Sequence, residues 1–429
     1  LKFGKWRLAG VALGLVFTAL GAVAFPFSGA GAKDESPLSH RKAKNVILLI
    51  GDGMGAAHRE AIRLATQGLN GTTAMDSLPY SGLVHTHSDD PNGFITDSAA
   101  AATAMATGVK TYNGAIGVDA NGKPVETVLE AAKKAGKSTG LVTTSQVTDA
   151  TPAAFAAHVK DRSEQSEIAR QFIENSRVDV ILGGGEDYWY PSGDPGKFPD
   201  NPAEDPSEAS KGTKGNLVAQ AKQLGYTYVS NEKELNAAKG NKLLGLFANE
   251  EMFQQRPEGE GDLYNPRVSL PDMTKKAIDT LSKNKKGFFL VVEEEAIDEM
   301  SHENNAALMI QSGQAFDRAV AVAKSYAQRH PDTLVIATAD HDCGGLAIEA
   351  ADNSDESGDG KTISSEDGPF PIAHTDKKFY LDWTTTGHTG VDVPLTAMGP
   401  GAAQLIGVYE NTYIHDAIWK ALGLHKSHR

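Results

Sequence analysis

Carboxylates and one imidazole stand at the ends of three apolar runs in this sequence, the arrangement most able to do chemistry. Asp52 closes NVILLIGD (45–52), Glu293 closes FFLVVE (288–293), and Asp340 and His341 close TLVIATADH (333–341). Such groups repel one another when they converge unless cations are bound, so the pattern reads as a metal site. IDEMSH spaces Asp298 and His302 four apart, which on a helix puts both on one face where they can share a cation. His388, in TTTGHTGVDVP, is a further candidate ligand between a glycine turn and an apolar run. His85, His87, His158, His374 and His415 read as ordinary polar surface or core residues. Ser98, in TDSAAAATAMATG (96–108), opens an Ala-rich helix that ends at Gly108. By itself that segment reads as a well-made start with Ser98 as N-cap. A serine oxygen at a positive helix end beside a metal would also be an activated nucleophile with a ready anion site.

The elements that must position these residues are buried strands. Short runs of Val, Ile, Leu and Phe without alternation indicate strands covered on both faces, and ligands of parallel sheets gather at strand carboxyl ends. STGLVTT (138–144) and VDVILGGG (178–185) continue the alternation of apolar and helical stretches, with further strand-like runs at 226–229 and 243–248. The expected fold is α/β, a three-layer α/β/α sandwich around a large, mostly parallel sheet. Residues 186–215, rich in Pro, Gly and acids, read as a surface excursion, and residues 345–386 as a second insertion. The acidic centre of the latter, ADNSDESGDGKTISSEDG, lacks the closing Glu of an EF-hand and reads as a solvated loop. Gly183–Gly185 follows a strand without G-x-G-x-x-G and reads as a tight turn.

With 429 residues, 40% hydrophobic and 22% charged, the chain is long enough for one large domain. Lys2, Lys5 and Arg7 precede an apolar stretch from Leu8 to Phe25 and the small residues Ala30-Gly31-Ala32. This is the pattern of a secretory signal cut after Ala32, leaving no membrane anchor and implying export to a periplasmic or extracellular space. Losing those three basic residues takes the formal charge from −14 to −17. Such a surface repels nucleic-acid phosphates and anionic membranes. Cys343 is the single cysteine, so no intrachain disulfide exists, and the residue reads as small and buried.

Six blocks together resemble the alkaline phosphatases: NVILLIGDGMG (45–55), TDSAAAATAMATG (96–108), TDATPAAFAAHVKDR (148–162), FFLVVEEEAID (288–298), TADH (338–341) and GHTGVDVP (387–394). They occur in the family's order and span essentially all of residues 33–429, which would form the catalytic domain. The resemblance implies a phosphomonoester hydrolase with a phosphoserine intermediate, broad specificity and an alkaline optimum. It makes Ser98 the nucleophile and Arg162 the phosphate clamp. Its implied cofactors are two Zn2+ and one Mg2+: one zinc on Asp298, His302 and His388, a second on Asp52, Asp340 and His341. The magnesium would share Asp52 and add Thr151 and Glu293, with Asp149 reaching it through water. Zinc suits mixed imidazole and carboxylate ligands, magnesium an all-oxygen set. Two cations about 4 Å apart can hold the attacking and leaving oxygens of an in-line displacement, and Arg162 offers a planar fork for two phosphate oxygens. Relatives are usually homodimers, and no interface is legible in this sequence.

Three positions depart from the family. Glu293 is followed by Glu294 and Glu295 where relatives carry Gly after the metal-binding Glu, so the ligand is fixed only by its spacing of five to Asp298. Glu299 stands where relatives carry Lys, His or Trp, an extra anion near the phosphate pocket. Cys343 lies two residues after His341. A diesterase of the same superfamily would usually have Thr in place of Ser98 and lack the third metal position. A sulfatase would need C/S-x-P-x-R, whereas Ala99 and Ala100 follow Ser98. A silent phosphate-binding protein would not require an intact nucleophile.

Overall fold

The computed structural model describes residues 42–198, 210–253, 263–351 and 365–424. The expected signal segment at 1–32 lies outside the described residues. Seven strands run parallel: β1 (Asn45–Gly51), β3 (Ser138–Gln146), β4 (Val180–Gly184), β5 (Thr227–Val229), β6 (Leu243–Leu246), β7 (Phe288–Glu294) and β8 (Thr333–Thr338). With β2 (Tyr80–His85), β14 (Val393–Met398) and β15 (Gly407–Glu410) they form a ten-stranded sheet in the order β15-β2-β14-β8-β1-β7-β3-β4-β6-β5. Only β14 runs against the rest. The three runs that carry Asp52, Glu293 and Asp340 are the adjacent central strands β8, β1 and β7, buried along their whole lengths. Central position is what their unbroken apolar sequences require.

Helices pack in two separate groups, giving the expected three layers. Helices Ala56–Gln67, Leu270–Leu281 and Ala306–Arg329 associate together, the last lying on β1, β7 and β8. Helices Ser98–Thr107, Val128–Lys134, Ala150–Ala156 and Thr412–Leu422 make up the other group. Every residue of Ser98–Thr107 and of Ala150–Ala156 is buried, and the two helices pack on each other. A helix apolar all round belongs in an interior, and alanine side chains let two such helices approach closely.

The insertion at 345–386 is more than a loop. Its described flanks form a three-stranded antiparallel sheet of β10 (Ala347–Ala350), β12 (Lys378–Trp383) and β11 (Ser365–Pro371), and residues 352–364 of the acidic stretch lie outside the described residues. Residues of the 186–215 excursion form a short 3-10 turn at Glu186–Tyr188 and a bridge between Pro191 and Gly212. The glycine triplet is not simply a turn: Gly183 and Gly184 complete β4, and only Gly185, at φ 83°, turns the chain. Gly183 pairs with Leu246 in the ladder, so the sheet extends further than the apolar run suggests. Among the described residues no helix is long and apolar enough to cross a membrane.

Candidate metal centre

Strand register brings the acids together. Ile50 of β1 pairs with Glu293 of β7 and with Thr338 of β8, and Glu293 pairs with Thr143 of β3, so four strands end on one edge. Asp52 follows β1, and Asp340 and His341 follow β8. Gly53, at φ 64°, makes the turn after Asp52, and its N–H donates to Asp340 Oδ1 at 3.1 Å. A Cβ on Gly53 would stand 2.3 Å from Asp298 Oδ1, so only glycine lets the helix Ala296–His302 approach this closely. A two-residue ladder between β9 (Asp342–Cys343) and β13 (His388–Thr389) sets His388 opposite Cys343.

Two sets of donor atoms converge. In the first, Asp298 Oδ2 lies 3.0 Å from His302 Nε2 and 3.5 Å from His388 Nε2, and the two Nε2 atoms are 3.1 Å apart. The far nitrogen of each ring is committed: His302 Nδ1 donates to the Thr386 carbonyl at 2.5 Å and His388 Nδ1 to the Thr96 carbonyl at 2.9 Å. In the neutral rings this leaves two lone pairs facing each other across a carboxylate, a geometry that calls for a cation or protons. Without a cation it is protons that respond: hydrogen bonding to Asp298 lifts His302 to about 9, and against burial the imidazoles hold Asp298 well below the usual carboxylate range. Cys343 belongs to this set geometrically, although burial pushes its thiol up and so keeps it protonated.

The second set is Asp52, Asp340 and His341. His341 Nε2 lies 3.1 Å from Asp340 Oδ2, 3.4 Å from Asp52 Oδ1 and 3.2 Å from Ser98 Oγ. The His341 ring stacks on His388 at 3.6 Å between centroids, joining the two sets. Burial, then the charges of its acidic neighbours, pushes Asp52 well above its ordinary value, and burial takes Asp340 to about 7. Asp52 Oδ1, Asp298 Oδ1, Asp340 Oδ2 and His341 Nδ1 are buried without a hydrogen-bond partner. Orphaned acceptors on buried acids are costly, and bound cations would satisfy them, so the donor chemistry fits zinc in both sets.

Beside the second set is an all-oxygen corner. Thr151 Oγ1 is 3.5 Å from Asp52 Oδ2, and Thr143 Oγ1 donates to Glu293 Oε2 at 2.5 Å. Burial drives Glu293 to about 8, and Asp149 and Asp340 add to it. Strand alternation separates Glu293 from Glu294, and Glu295 lies past the strand at the head of the next helix. Glu293 faces this corner, while Glu294 is tied elsewhere by Tyr264 Oη at 2.6 Å and Thr144 Oγ1 at 2.7 Å. Glu295, buried, ends up near Asp149 and Glu299, whose charges add to burial in raising it.

Ser98 is not the N-cap that its composition suggests. Asp97 takes that place, accepting from the Ala100 N–H at 2.9 Å, and Ser98 becomes the first helical residue with its hydroxyl free to face His341. Asp97 also accepts from the Gly114 N–H at 2.8 Å. Sequence reasoning overlooked this residue, although an acidic residue just before an alanine run is a capping signal. Thr143 was overlooked as well, and no local signal marks it. Arg162 is half-buried and grips Asp149 through two contacts of 3.0 Å, with Asp97 at 3.4 Å. His85, His87, His158, His374 and His415 stay outside both sets, and all but His374 pair with an acid: Asp392, Glu410, Glu130 and Asp416 in turn.

Comparison with known proteins gives a single answer. The family profile described as alkaline phosphatase matches residues 43–372 and 358–424. The chain is 36% identical to alkaline phosphatase 4 of Bacillus subtilis, over 92% of this chain and 93% of that protein. It is 36% identical to streptomycin-6-phosphate phosphatase of Streptomyces griseus, over 89% and 91%. The alkaline phosphatase of the Antarctic bacterium TAB5 superposes with a TM-score of 0.73 at 32% identity, covering 90% of this chain and all of that one, and variants of it have been solved with magnesium bound.

Proposed function

Since this chain belongs to the alkaline phosphatase family and is a phosphomonoester hydrolase, we propose that it acts through a phosphoserine on Ser98 with two zinc ions and one magnesium ion bound. The observation that carries this reading is Ser98 Oγ standing 3.2 Å from His341 at the junction of the two donor sets. Asp298, His302 and His388 would hold one zinc and Asp52, Asp340 and His341 the other, while Asp52, Thr151 and Glu293 would hold magnesium with Asp149 beside it. The bound metals would supply charge neutralisation for the attacking and leaving oxygens and ease deprotonation at neutral to alkaline pH.

The chain's own residues do the rest. Ser98 Oγ, at a helix N-terminus, attacks phosphorus in line, forming the serine O–P bond as the ester O–P bond breaks and the alcohol leaves. Water then attacks phosphorus, the serine O–P bond breaks, and inorganic phosphate departs. Two inversions give net retention. Arg162 would exchange part of its grip on Asp149 and Asp97 for two phosphate oxygens, which its planar fork fits. Specificity is broad, because these groups all address the phosphoryl end. The optimum is alkaline, where serine and water give up protons most readily. Residues 33–429 form the catalytic domain, exported behind the N-terminal segment.

The test is hydrolysis of a chromogenic phosphomonoester across pH, with metal analysis and acid quenching. Labelled phosphate trapped on serine in the wild type, absent in Ser98→Ala, supports the reading. Chelator-insensitive turnover, or wild-type turnover by Ser98→Ala, refutes it.

A further inference from the structure

Behind the Asp298, His302 and His388 set lies a polar cluster that the hydrolysis does not use. His58, Ser301 and Asp342 are buried. His58 Nε2 lies 3.1 Å from Ser301 Oγ, while His58 Nδ1 makes no hydrogen bond and packs 3.6 Å from Asp342 Oδ1. The residue types are those of a hydrolytic triad, but no substrate could reach them, and Ser301 Oγ donates to the Ile297 carbonyl at 2.6 Å. A buried polar cluster that leaves one imidazole nitrogen unpaired carries a desolvation cost and needs a compensating role.

Its two ends indicate that role. Ser301 immediately precedes His302 on the helix Ala296–His302. Asp342 Oδ2 accepts from Thr389 Oγ1 at 2.5 Å, and Thr389, its ladder partner, immediately follows His388. The fit is close: a Cβ on Gly55 would stand 1.9 Å from Asp342 Oδ1, and the Trp383 ring meets His58 edge-on with centroids 6.1 Å apart. Packing of this kind leaves the cluster little room to shift.

We propose that His58, Asp342 and Thr389 are positioning residues, a buried strut that fixes β13 against the helix Ala296–His302 so that His302 and His388 present their Nε2 atoms to one cation. The inference rests on the reading that this set holds zinc. Ligands drawn from two distant segments bind tightly only when the segments are held in place beforehand, and outer partners of metal ligands are worth about 10–100-fold in affinity.

The experiment is competition between the full-length protein and a zinc chelator of known affinity, with zinc counted per chain. Thr389→Val keeps the shape and removes the hydroxyl; Thr389→Ser restores it; His58→Gln removes the ring packed between Ser301, Asp342 and Trp383. The valine and glutamine variants should each weaken one zinc about 10–100-fold, leave the second unchanged, and the serine variant should recover most of the loss. Wild-type affinity for both zincs in Thr389→Val and His58→Gln overturns the strut. His388→Ala separates this failure from a failure of the underlying assignment: if it removes no zinc, the ligand set itself is wrong and the strut falls with it. If it removes one while the other variants remove none, only the strut is wrong.

Discussion

Glu299 places a further carboxylate beside the proposed zinc ligands. It is half-buried on the first turn of the helix that carries Asp298, and its charge raises both His302 and Glu295. A carboxylate this close to a proposed zinc ligand disfavours a bound phosphate dianion and should hasten product release. Glu299→Lys should lower the inhibition constant for phosphate by about fivefold or more, since replacing repulsion with attraction at an effective dielectric near 20 is worth about 1 kcal/mol or more. Turnover at alkaline pH should fall where release limits it. An unmoved inhibition constant would assign Glu299 a purely local role beside His302. At Ser98 the expectation is different in kind: Ser98→Ala should cost several orders of magnitude in kcat, with the zinc and magnesium content of the purified protein unchanged. Metal loss in that variant would mean that Ser98 supports the centre rather than attacking from it.

Within single elements, alternation and capping decide which of several similar residues matters. On β7, Glu293 and Glu294 are neighbours in sequence yet lie in different surroundings, the first with Thr143 at the oxygen corner and the second with Tyr264 and Thr144. Glu293→Gln should therefore remove magnesium from the protein, whereas Glu294→Gln should lower thermal stability and leave magnesium in place. Equal magnesium content in both variants would contradict the separation. At the head of the helix Ser98–Thr107, Asp97 caps the backbone, accepts from Gly114 and contacts Arg162. Asp97→Ala should cost about 1 kcal/mol or more of stability, the usual worth of a cap. It should also alter phosphate affinity, because Arg162 would lose one of its two carboxylate partners. A variant melting like the wild type would show that the cap contributes little.

For the whole molecule, gathering so many acids at one edge makes stability depend on bound metal and pH together. Glu293 at about 8 and Asp340 at about 7 are raised by burial, and His302 at about 9 by Asp298. Each binds a proton in the folded chain that the unfolded chain has already lost, so each contribution declines as pH rises through these values. Buried neutral His58, lowered by burial to about 4, and His341, also lowered by burial, act in the opposite sense, but only below the ordinary imidazole range near 6.5. Chelated protein should accordingly lose on the order of a few kcal/mol between about pH 7 and 9. Protein loaded with zinc and magnesium should hold its melting temperature across the same interval. Scanning calorimetry at both pH values, with and without chelator, measures the difference, and parallel behaviour of the two forms would refute it.

The sequence by itself determined the central strands and the residues that end them. Apolar runs such as NVILLIGD and FFLVVE suit strands buried on both faces of a parallel sheet, and Asp52, Glu293 and Asp340 then have one edge to occupy. Asp298 and His302 were legible for a similar local reason, the helical repeat. The sequence picked Glu293 over Glu294 only through its spacing of five to Asp298; the tertiary structure adds the physical reason the two differ, because the surroundings of a strand residue depend on register with β1 and β3. The tertiary structure alone gave Ser98 to His341, and it revealed Thr143, His58, Asp342 and Thr389 around the ligands. These contacts join residues tens to hundreds of positions apart, and spacing along a chain carries no record of which side chains meet once strands and helices have packed.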